Sequence, residues 1–64
     1  PMWVRGTRII LGEAKSGDLV MDEYGFKYAV QEPPAESGDA VLAKDSAGRW
    51  VALKPTTEVV RVSP

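Results

Sequence analysis

The chain has no cysteine and no histidine, and each absence excludes a class of function. Without cysteine there is neither a disulfide framework nor a thiolate metal site, and nothing indicates an oxidising compartment. Without histidine the chain lacks the usual general base near neutral pH and the commonest transition-metal ligand. Catalysis would have to rely on carboxylates, lysines or tyrosines. We therefore expect a protein that is not an enzyme and that holds no cofactor and no metal ion.

Long apolar runs and a strong charge of either sign are also missing. No stretch approaches the roughly 18 apolar residues that a membrane-spanning helix needs, and no charged-then-apolar leader resembles a signal peptide. The formal net charge is −1, which argues against a strongly cationic surface and against general affinity for nucleic acid. We expect a cytoplasmic protein without a membrane partner, or a virion-associated one if the chain is viral.

The length of 64 residues limits the chain to one small domain. A domain of this size buries only about 60% of the surface that its unfolded form exposes, so its core supplies little stability. With disulfides excluded, oligomerisation is the remaining common way to supplement such a core. We predict a single domain over residues 1–64, in which residues 1–15 form an arm or an edge strand.

A short unit occurs twice in the sequence, and each copy opens with Ser-Gly-Asp. The first copy covers residues 16–30 and turns at Tyr24-Gly25, and the second covers residues 37–53 and turns at Ala47-Gly48. A basic and an aromatic residue follow the glycine in both copies. Glycine supplies the positive φ of a tight turn, and Asp or Ser side chains bond the backbone beside it. The repeat therefore predicts two successive β-hairpins.

Residues that favour β-strands dominate the rest of the pattern, and almost no window keeps helical spacing. We predict an all-β fold with five to six short antiparallel strands built around the two hairpins. The predicted strands lie within residues 3–11, 18–22, 26–31, 40–44, 49–53 and 58–62. The firmest hairpin turn is at residues 45–48, where Asp at the start and Gly at the end suit a type I turn closed by a glycine bulge.

The apolar alternation within single strands predicts which faces are buried. Phe26, Tyr28 and Val30 share one face of the third strand, and we expect that face to be buried. In the last strand Val60 and Val62 are expected to face the same way. The segment at residues 32–38 contains two consecutive prolines, which cannot donate ladder hydrogen bonds, so it is predicted to be an exposed loop. A short helical turn is predicted at residues 54–57.

Three of these features together resemble the small SH3-like β-barrels. They are Gly17-Asp18-Leu19-Val20 at the opening of a strand, the tight hairpin turn at residues 45–48, and the Pro55-Thr56-Thr57 turn before a last valine-rich strand. The resemblance covers residues 16–62 and implies a small SH3-like barrel. Such barrels serve as peptide readers, as nucleic-acid and ribosome-associated modules, and as subunits of viral and enzymatic assemblies. The resemblance therefore implies a fold and does not choose an activity.

The repeated opening Gly-Asp-x-Val, at residues 17–20 and 38–41, carries a second resemblance. It is similar to strand openings in bacteriophage capsid decoration and head-assembly proteins, which are often short and β-rich. This resemblance implies a structural role in a virus particle.

Few residues offer chemistry of their own. Asp22 and Glu23 are adjacent, and neighbours in a strand or hairpin point to opposite faces, so they cannot share a substrate. Asp18 and Asp39 have too few further oxygen ligands nearby for a calcium site, and we interpret them as turn residues bonded to the backbone. Pro1 could supply a secondary amine as a base, as in small tautomerases, but the chain lacks the helices of that family. No glycine-rich phosphate loop is present.

Basic and aromatic residues are interleaved along the chain, and this pattern gives nucleic-acid binding as an alternative function. Arg5, Arg8 and Arg49 would contact phosphates, and Trp50 or Tyr24 would stack on bases. The competing interpretation is that strand-borne aromatic residues fill the core and that isolated arginines line a solvated face. We favour the second interpretation, so nucleic acid is the less favoured partner.

We predict a non-catalytic module for protein–protein contact or assembly that associates with copies of itself. The small size, the spare apolar residues of the first segment and the lack of catalytic side chains favour this function. Residues 3–11 are predicted to be the arm or edge strand that adds to a partner sheet. An enzyme formed only at a symmetric interface between copies is a third hypothesis. The predicted binding residues are Trp3, Arg5, Arg8, Tyr24, Arg49 and Trp50.

Overall fold

The computed structural model describes residues 6–62, and these residues form an all-β domain, as the sequence predicts. Each of the six predicted strands is present. The second, fourth and fifth are one or two residues shorter than predicted, the third begins and ends one residue later, and the sixth has the predicted bounds. Residues 3–5 of the first predicted strand lie outside the described residues. A single turn of 3-10 helix at Leu11–Glu13 is the helical structure in this part of the chain. The six strands are β1 (Gly6–Ile10), β2 (Leu19–Met21), β3 (Lys27–Glu32), β4 (Val41–Lys44), β5 (Trp50–Leu53) and β6 (Glu58–Val62).

The strands form one antiparallel sheet in the order β1-β6-β2-β3-β4-β5. The two predicted hairpins are β2–β3 and β4–β5, and β6 returns to lie between β1 and β2. The prediction of a closed barrel is corrected here, because β1 and β5 remain as the two edges of an open sheet. Closure would require these two strands to share a ladder, and among residues 6–62 each forms a ladder with one neighbour only.

An aspartate organises the turn of the second hairpin. The backbone N–H of Gly48 donates to the carbonyl oxygen of Asp45 at 2.9 Å, and that of Asp45 donates to the carbonyl oxygen of Arg49 at 2.9 Å. The Asp45 carboxylate accepts from the backbone N–H groups of Ala47 and Arg49 at 2.9 and 3.0 Å. Gly48 has a φ of +79°, which a residue with a Cβ adopts only at a cost. The predicted type I turn with a glycine bulge is confirmed.

An aspartate organises the turn of the first hairpin in the same way. The Asp22 carboxylate accepts from the backbone N–H groups of Tyr24 and Phe26, both at 2.9 Å. The backbone N–H of Gly25 donates to the carbonyl oxygen of Asp22 at 3.1 Å, and Gly25 has a φ of +88°. The sequence repeat is therefore a structural repeat, in which each hairpin carries an aspartate three residues before its glycine.

We expect the variant Asp45→Asn to lower stability near neutral pH and to matter little in strong acid. Hydrogen bonds from the backbone of Arg49 and of Ala47, together with the charge of the Arg49 side chain, lower the pKa of the Asp45 carboxyl. A lowered folded-state pKa stabilises the fold above the unfolded-state pKa of about 3.9, and this contribution is lost as the pH falls through the folded value. Melting curves should show a constant difference between wild type and variant from about pH 5 to pH 7 that shrinks below about pH 4.

The control for this prediction is Ser46→Ala, which changes the same turn and leaves the carboxylate and its donors in place. That variant should keep the pH dependence of the wild type. A difference between wild type and Asp45→Asn that stayed the same at about pH 2 would show that the carboxylate charge does not stabilise the turn.

The core cluster consists of small and medium aliphatic side chains on one face of the sheet, and Met21 and Val60, which are ladder partners on the opposite face, are buried as well. Leu11, in the 3-10 helix, closes the face of the core cluster and is fully buried. Its backbone N–H donates to the carbonyl oxygen of Thr57 at 2.7 Å, and that of Gly12 donates to the carbonyl oxygen of Pro55 at 2.8 Å. These bonds tie the end of β1 to residues 54–57, which form a hydrogen-bonded turn and not the helical turn that the sequence predicts. The buried cluster consists of Leu11, Ala14, Val20, Val30, Val41 and Val59.

The predicted buried face of β3 is only partly correct. Val30 is buried and Tyr28 is half-buried, but Phe26 is 63% exposed. Phe26 precedes β3 and belongs to the hairpin turn, which extends beyond the edge of the core. In β6, strand alternation places Val60 and Val62 on one face, as predicted. Val60 is buried on that face, and Val59 on the opposite face joins the core cluster.

Within residues 6–62 there is no helix of the length and apolar character that a membrane crossing requires.

Candidate interaction surface

The outer face of the sheet, opposite the buried cluster, carries a tryptophan that the core does not use. Trp50 lies in β5 with 57% of its surface exposed, and the ammonium group of Lys44 lies 5.4 Å from the centre of its ring. Lys44 and Trp50 are cross-strand neighbours in the β4–β5 hairpin, so the cation covers one side of the indole. Most of the indole remains open to solvent.

A row of side chains leads from Trp50 across the outer face. The strand register pairs Trp50 with Lys44, Lys44 with Ala29, and Ala29 with Leu19. Directly opposite residues in an antiparallel ladder share a face, so these four side chains lie side by side. Leu19 is 42% exposed at the far end of the row. The outer face is therefore crossed by a largely apolar row that the described residues leave partly exposed.

Strand β5 also presents unpaired backbone groups. The bond that closes the hairpin turn reaches the carbonyl oxygen of Arg49, and hydrogen-bonded positions alternate along an antiparallel ladder. Val51 therefore bonds to β4, while the N–H and C=O groups of Trp50 and Ala52 point away from it. No backbone hydrogen bond from another segment of residues 6–62 reaches those groups. They are free to pair with a further strand.

The two edges of the sheet differ in their protection against such pairing. Natural edge strands are usually protected by charged side chains, proline or bulges. The β1 edge contains Gly6 and the charged Arg8, and the Arg8 Nη1 atom lies 3.8 Å from the Glu58 Oε1 atom. The β5 edge, Trp50–Leu53, is Trp-Val-Ala-Leu and contains no charge, no proline and no glycine. Of the two edges, β5 is the unprotected one.

A groove of about 380 Å³ lies between the tips of the two hairpins, on the core side of the sheet. Phe26 and Tyr28 line it from the first hairpin, and Asp45, Arg49 and Val51 line it from the second. Burial raises the pKa of Tyr28, with a further contribution from the negative charges of nearby carboxylates. The Arg49 Nε donates to the Asp45 carboxylate at 3.2 Å, so the two charges on this wall are paired with each other.

The predicted binding residues do not form one surface. Trp3 and Arg5 lie outside the described residues. Arg8 lies in β1 and Trp50 in β5, on the two opposite edge strands, and Tyr24 is at the tip of the first hairpin. Arg49 and Trp50 are adjacent in sequence, but Arg49 lines the groove while Trp50 lies on the outer face. The structure thus separates the arginine from the aromatic ring that the sequence places beside it.

The expectation that strand-borne aromatic residues fill the core is corrected in part: the half-buried Tyr28 packs against the core cluster, and the other described aromatic residues do not. Tyr24, Phe26 and Trp50 are exposed, at 72%, 63% and 57%. A hydrogen bond to Glu23, together with its negative charge, raises the pKa of Tyr24, but the ring itself contacts solvent. The fully buried core is built from aliphatic side chains instead. The exposed aromatic side chains are consequently available to contact a partner.

Sequence reasoning did not find Leu19, Leu42 and Ala52, which extend the apolar outer face around Trp50. Leu42 is directly opposite Ala52 in the β4–β5 ladder, in the row next to that of Trp50. The alternation Ala40-Val41-Leu42-Ala43 is apolar on both faces, and this double-sided pattern was the available signal for a second apolar surface.

Asp18 and Asp39 have structural roles in their turns. Asp18 accepts from the backbone N–H of Lys15 at 2.8 Å, and Asp39 from that of Glu36 at 3.3 Å. Both aspartates therefore close the turn that opens their repeat, as predicted. Within residues 6–62 no group of acidic side chains is arranged to hold a metal ion.

Comparisons of the chain with protein-family models, with curated proteins and with solved structures give no match. The resemblances to SH3-like barrels and to phage head proteins stay predictions. The function is therefore argued from the geometry of the outer face and of the β5 edge.

Proposed function

We propose that this chain is a non-catalytic interaction module that associates with copies of itself through the β5 edge and the adjoining outer face. The observation that carries the proposal is Trp50, which is exposed on an edge strand that contains no charge and whose outward backbone groups bond to no residue within 6–62. Tryptophan is among the residues that contribute most to protein interfaces. Self-association is compatible with the role in a virus particle that the Gly-Asp-x-Val resemblance implies. It is also compatible with an SH3-like order of strands.

The size of the core supports self-association. The fully buried side chains of the described residues are aliphatic and mostly no larger than valine, so the apolar area removed from water is small. A chain of this length with no disulfide gains stability when a second copy covers exposed apolar surface.

Binding of nucleic acid is the alternative function, and the geometry favours it less. It would need an arginine and an aromatic ring on one surface. Arg49 faces the groove and is paired with Asp45, whereas Trp50 lies on the other face beside Lys44. The two functions differ in their response to salt, because binding to phosphates weakens steeply as salt is added and apolar association does not.

The first experiment compares the mass in solution of the wild type with that of Trp50→Glu over a wide concentration range. We expect the wild type to form a discrete oligomer that persists at high salt. The variant should dissociate, with a dissociation constant raised by about tenfold or more, because a charge on an edge strand opposes pairing. In the monomer the new carboxylate would lie opposite Lys44, so the hairpin itself keeps an attractive cross-strand pair.

The matched control is Tyr24→Glu, which makes the same change of an exposed aromatic residue at the tip of the first hairpin. This variant should retain the oligomer of the wild type. A wild type that stays monomeric at every concentration would refute the proposed function. A monomer that is retained on DNA or RNA at low salt and released at high salt would favour the alternative.

A further inference from the structure

We propose that two copies of the chain pair β5 against β5 in antiparallel orientation, with Val51 of one copy directly opposite Val51 of the other. This inference rests on the proposed function and specifies its partner and register. A two-fold axis would pass between the two Val51 residues, and the two six-stranded sheets would join into one continuous sheet. The partner is a second copy of this chain.

The hydrogen-bonding groups at the β5 edge select this register. Trp50 and Ala52 are the β5 residues whose backbone groups point outward. When Trp50 of each copy lies opposite Ala52 of the other, all of these outward N–H and C=O groups find partners. Val51 then lies opposite Val51 at the close, non-hydrogen-bonded position of the ladder. Trp50 pairs with Ala52 of the second copy, and Ala52 pairs with its Trp50. No other antiparallel register gives more backbone hydrogen bonds between residues of β5 alone.

The neighbouring antiparallel registers bond fewer groups within β5. If Trp50 lay opposite Trp50, the next bonded pair would require Gly48, whose N–H already donates to the carbonyl oxygen of Asp45. If Ala52 lay opposite Ala52, the next pair would require Lys54, which lies beyond the end of β5 and directly before Pro55. Both registers therefore lose bonds that the proposed register makes.

The side chains also fit the proposed register. On the outer face each large indole of Trp50 would lie over the small Ala52 of the second copy, so no two bulky groups compete for the same space. The row from Leu19 to Trp50 would then run on into Ala52 and Leu42 of the second copy, because Leu42 is the ladder neighbour of Ala52. No two like charges lie opposite each other within β5, whose four residues are all apolar.

The test uses the variant Val51→Cys, in a chain that has no cysteine of its own. Non-hydrogen-bonded antiparallel neighbours have Cα atoms about 4.5 Å apart, within the range that a disulfide bridges. Oxidised glutathione would take two electrons and two protons from the paired thiols, forming one S–S bond between copies and two molecules of reduced glutathione. We expect a covalent dimer on non-reducing electrophoresis, formed at least about tenfold faster than in the control.

The control is Ala52→Cys in the next position of the same edge. In the proposed register each residue 52 faces residue 50, so the two introduced cysteines would be displaced by about 7 Å along the strands and would not bond. If Val51→Cys is dimeric when reduced but forms the disulfide no faster than Ala52→Cys, the register is wrong and self-association stands. If the wild type is monomeric, both proposals fail.

Amide exchange of the wild type provides a second readout that needs no substitution. In the proposed dimer the amides of Trp50 and Ala52 should become protected as the protein concentration rises through the association range. The amide of Val51, which already bonds to β4, should change much less. Exchange of Trp50 and Ala52 that stays fast in a fully formed dimer would overturn the pairing, even if Val51→Cys failed to fold.

Discussion

The variant Leu11→Ala is expected to lose a large part of the stability of the fold. Leu11 is fully buried at the centre of the core cluster, and the removal of a buried leucine side chain costs about 2 to 5 kcal/mol. A domain of 64 residues has a total stability of about 3 to 10 kcal/mol. Thermal unfolding followed by circular dichroism should show a midpoint lowered by about 10 °C or more, or no cooperative transition.

The neighbouring residue supplies the control. Ile10 precedes Leu11 in the same apolar run but is 41% exposed, so Ile10→Ala should cost less than about 1 kcal/mol. If the two variants lost the same amount of stability, the buried Leu11 would contribute no more to the stability of the fold than the exposed Ile10 does. The result also bears on the predicted arm, since removal of residues 3–11 would take Leu11 out of the core and could not test assembly separately from folding.

The second large effect is expected for Val20→Asp. Val20 is fully buried in β2, and its cross-strand neighbours are Tyr28 and Arg61. A carboxylate in this position would lose its hydration beside the aliphatic cluster, at a cost of several kcal/mol that the half-buried Arg61 across the ladder offsets only in part. Because that cost is comparable with the whole stability of the domain, we expect the variant to be unfolded at neutral pH, with the chemical shift dispersion of a disordered chain.

Leu19→Asp places the same charge one residue earlier, on the opposite face of the same strand. Leu19 is partly exposed on the outer face, so this variant should fold with a loss of no more than about 1 kcal/mol. If Leu19→Asp unfolded and Val20→Asp did not, the assignment of inner and outer faces would be reversed. The pair therefore tests the orientation of the sheet directly.

The local elements were predictable because their determinants are local. Each hairpin turn is defined by an aspartate and a glycine three residues apart. The glycine N–H donates to the aspartate carbonyl oxygen, and the aspartate carboxylate accepts from the backbone N–H groups just before and just after the glycine. The strands on either side follow from short apolar runs that lie between such turns. No distant residue takes part in these interactions, so the sequence pattern was sufficient for six strands and two hairpins.

The candidate surface was predicted less well, because sequence neighbours in a strand point to opposite faces. The sequence predicted one binding patch that includes Arg49 and Trp50. The two side chains lie on different sides of the sheet. The apolar row of the outer face joins residues from four strands, including Leu19 and Lys44. Its members become neighbours only through the register of three ladders. A single sequence carries no direct record of such long-range pairing.

The sequence by itself determined the all-β class, the position of each strand and the two repeated turns, since propensity and turn chemistry act over a few residues. Tertiary structure decided that β6 lies between β1 and β2, that the sheet stays open and that β5 is an unprotected edge. It also decided that valines rather than aromatic rings fill the core. The physical reason is that burial and edge position depend on contacts between strands far apart in the chain, and the same apolar residue can serve a core or an interface.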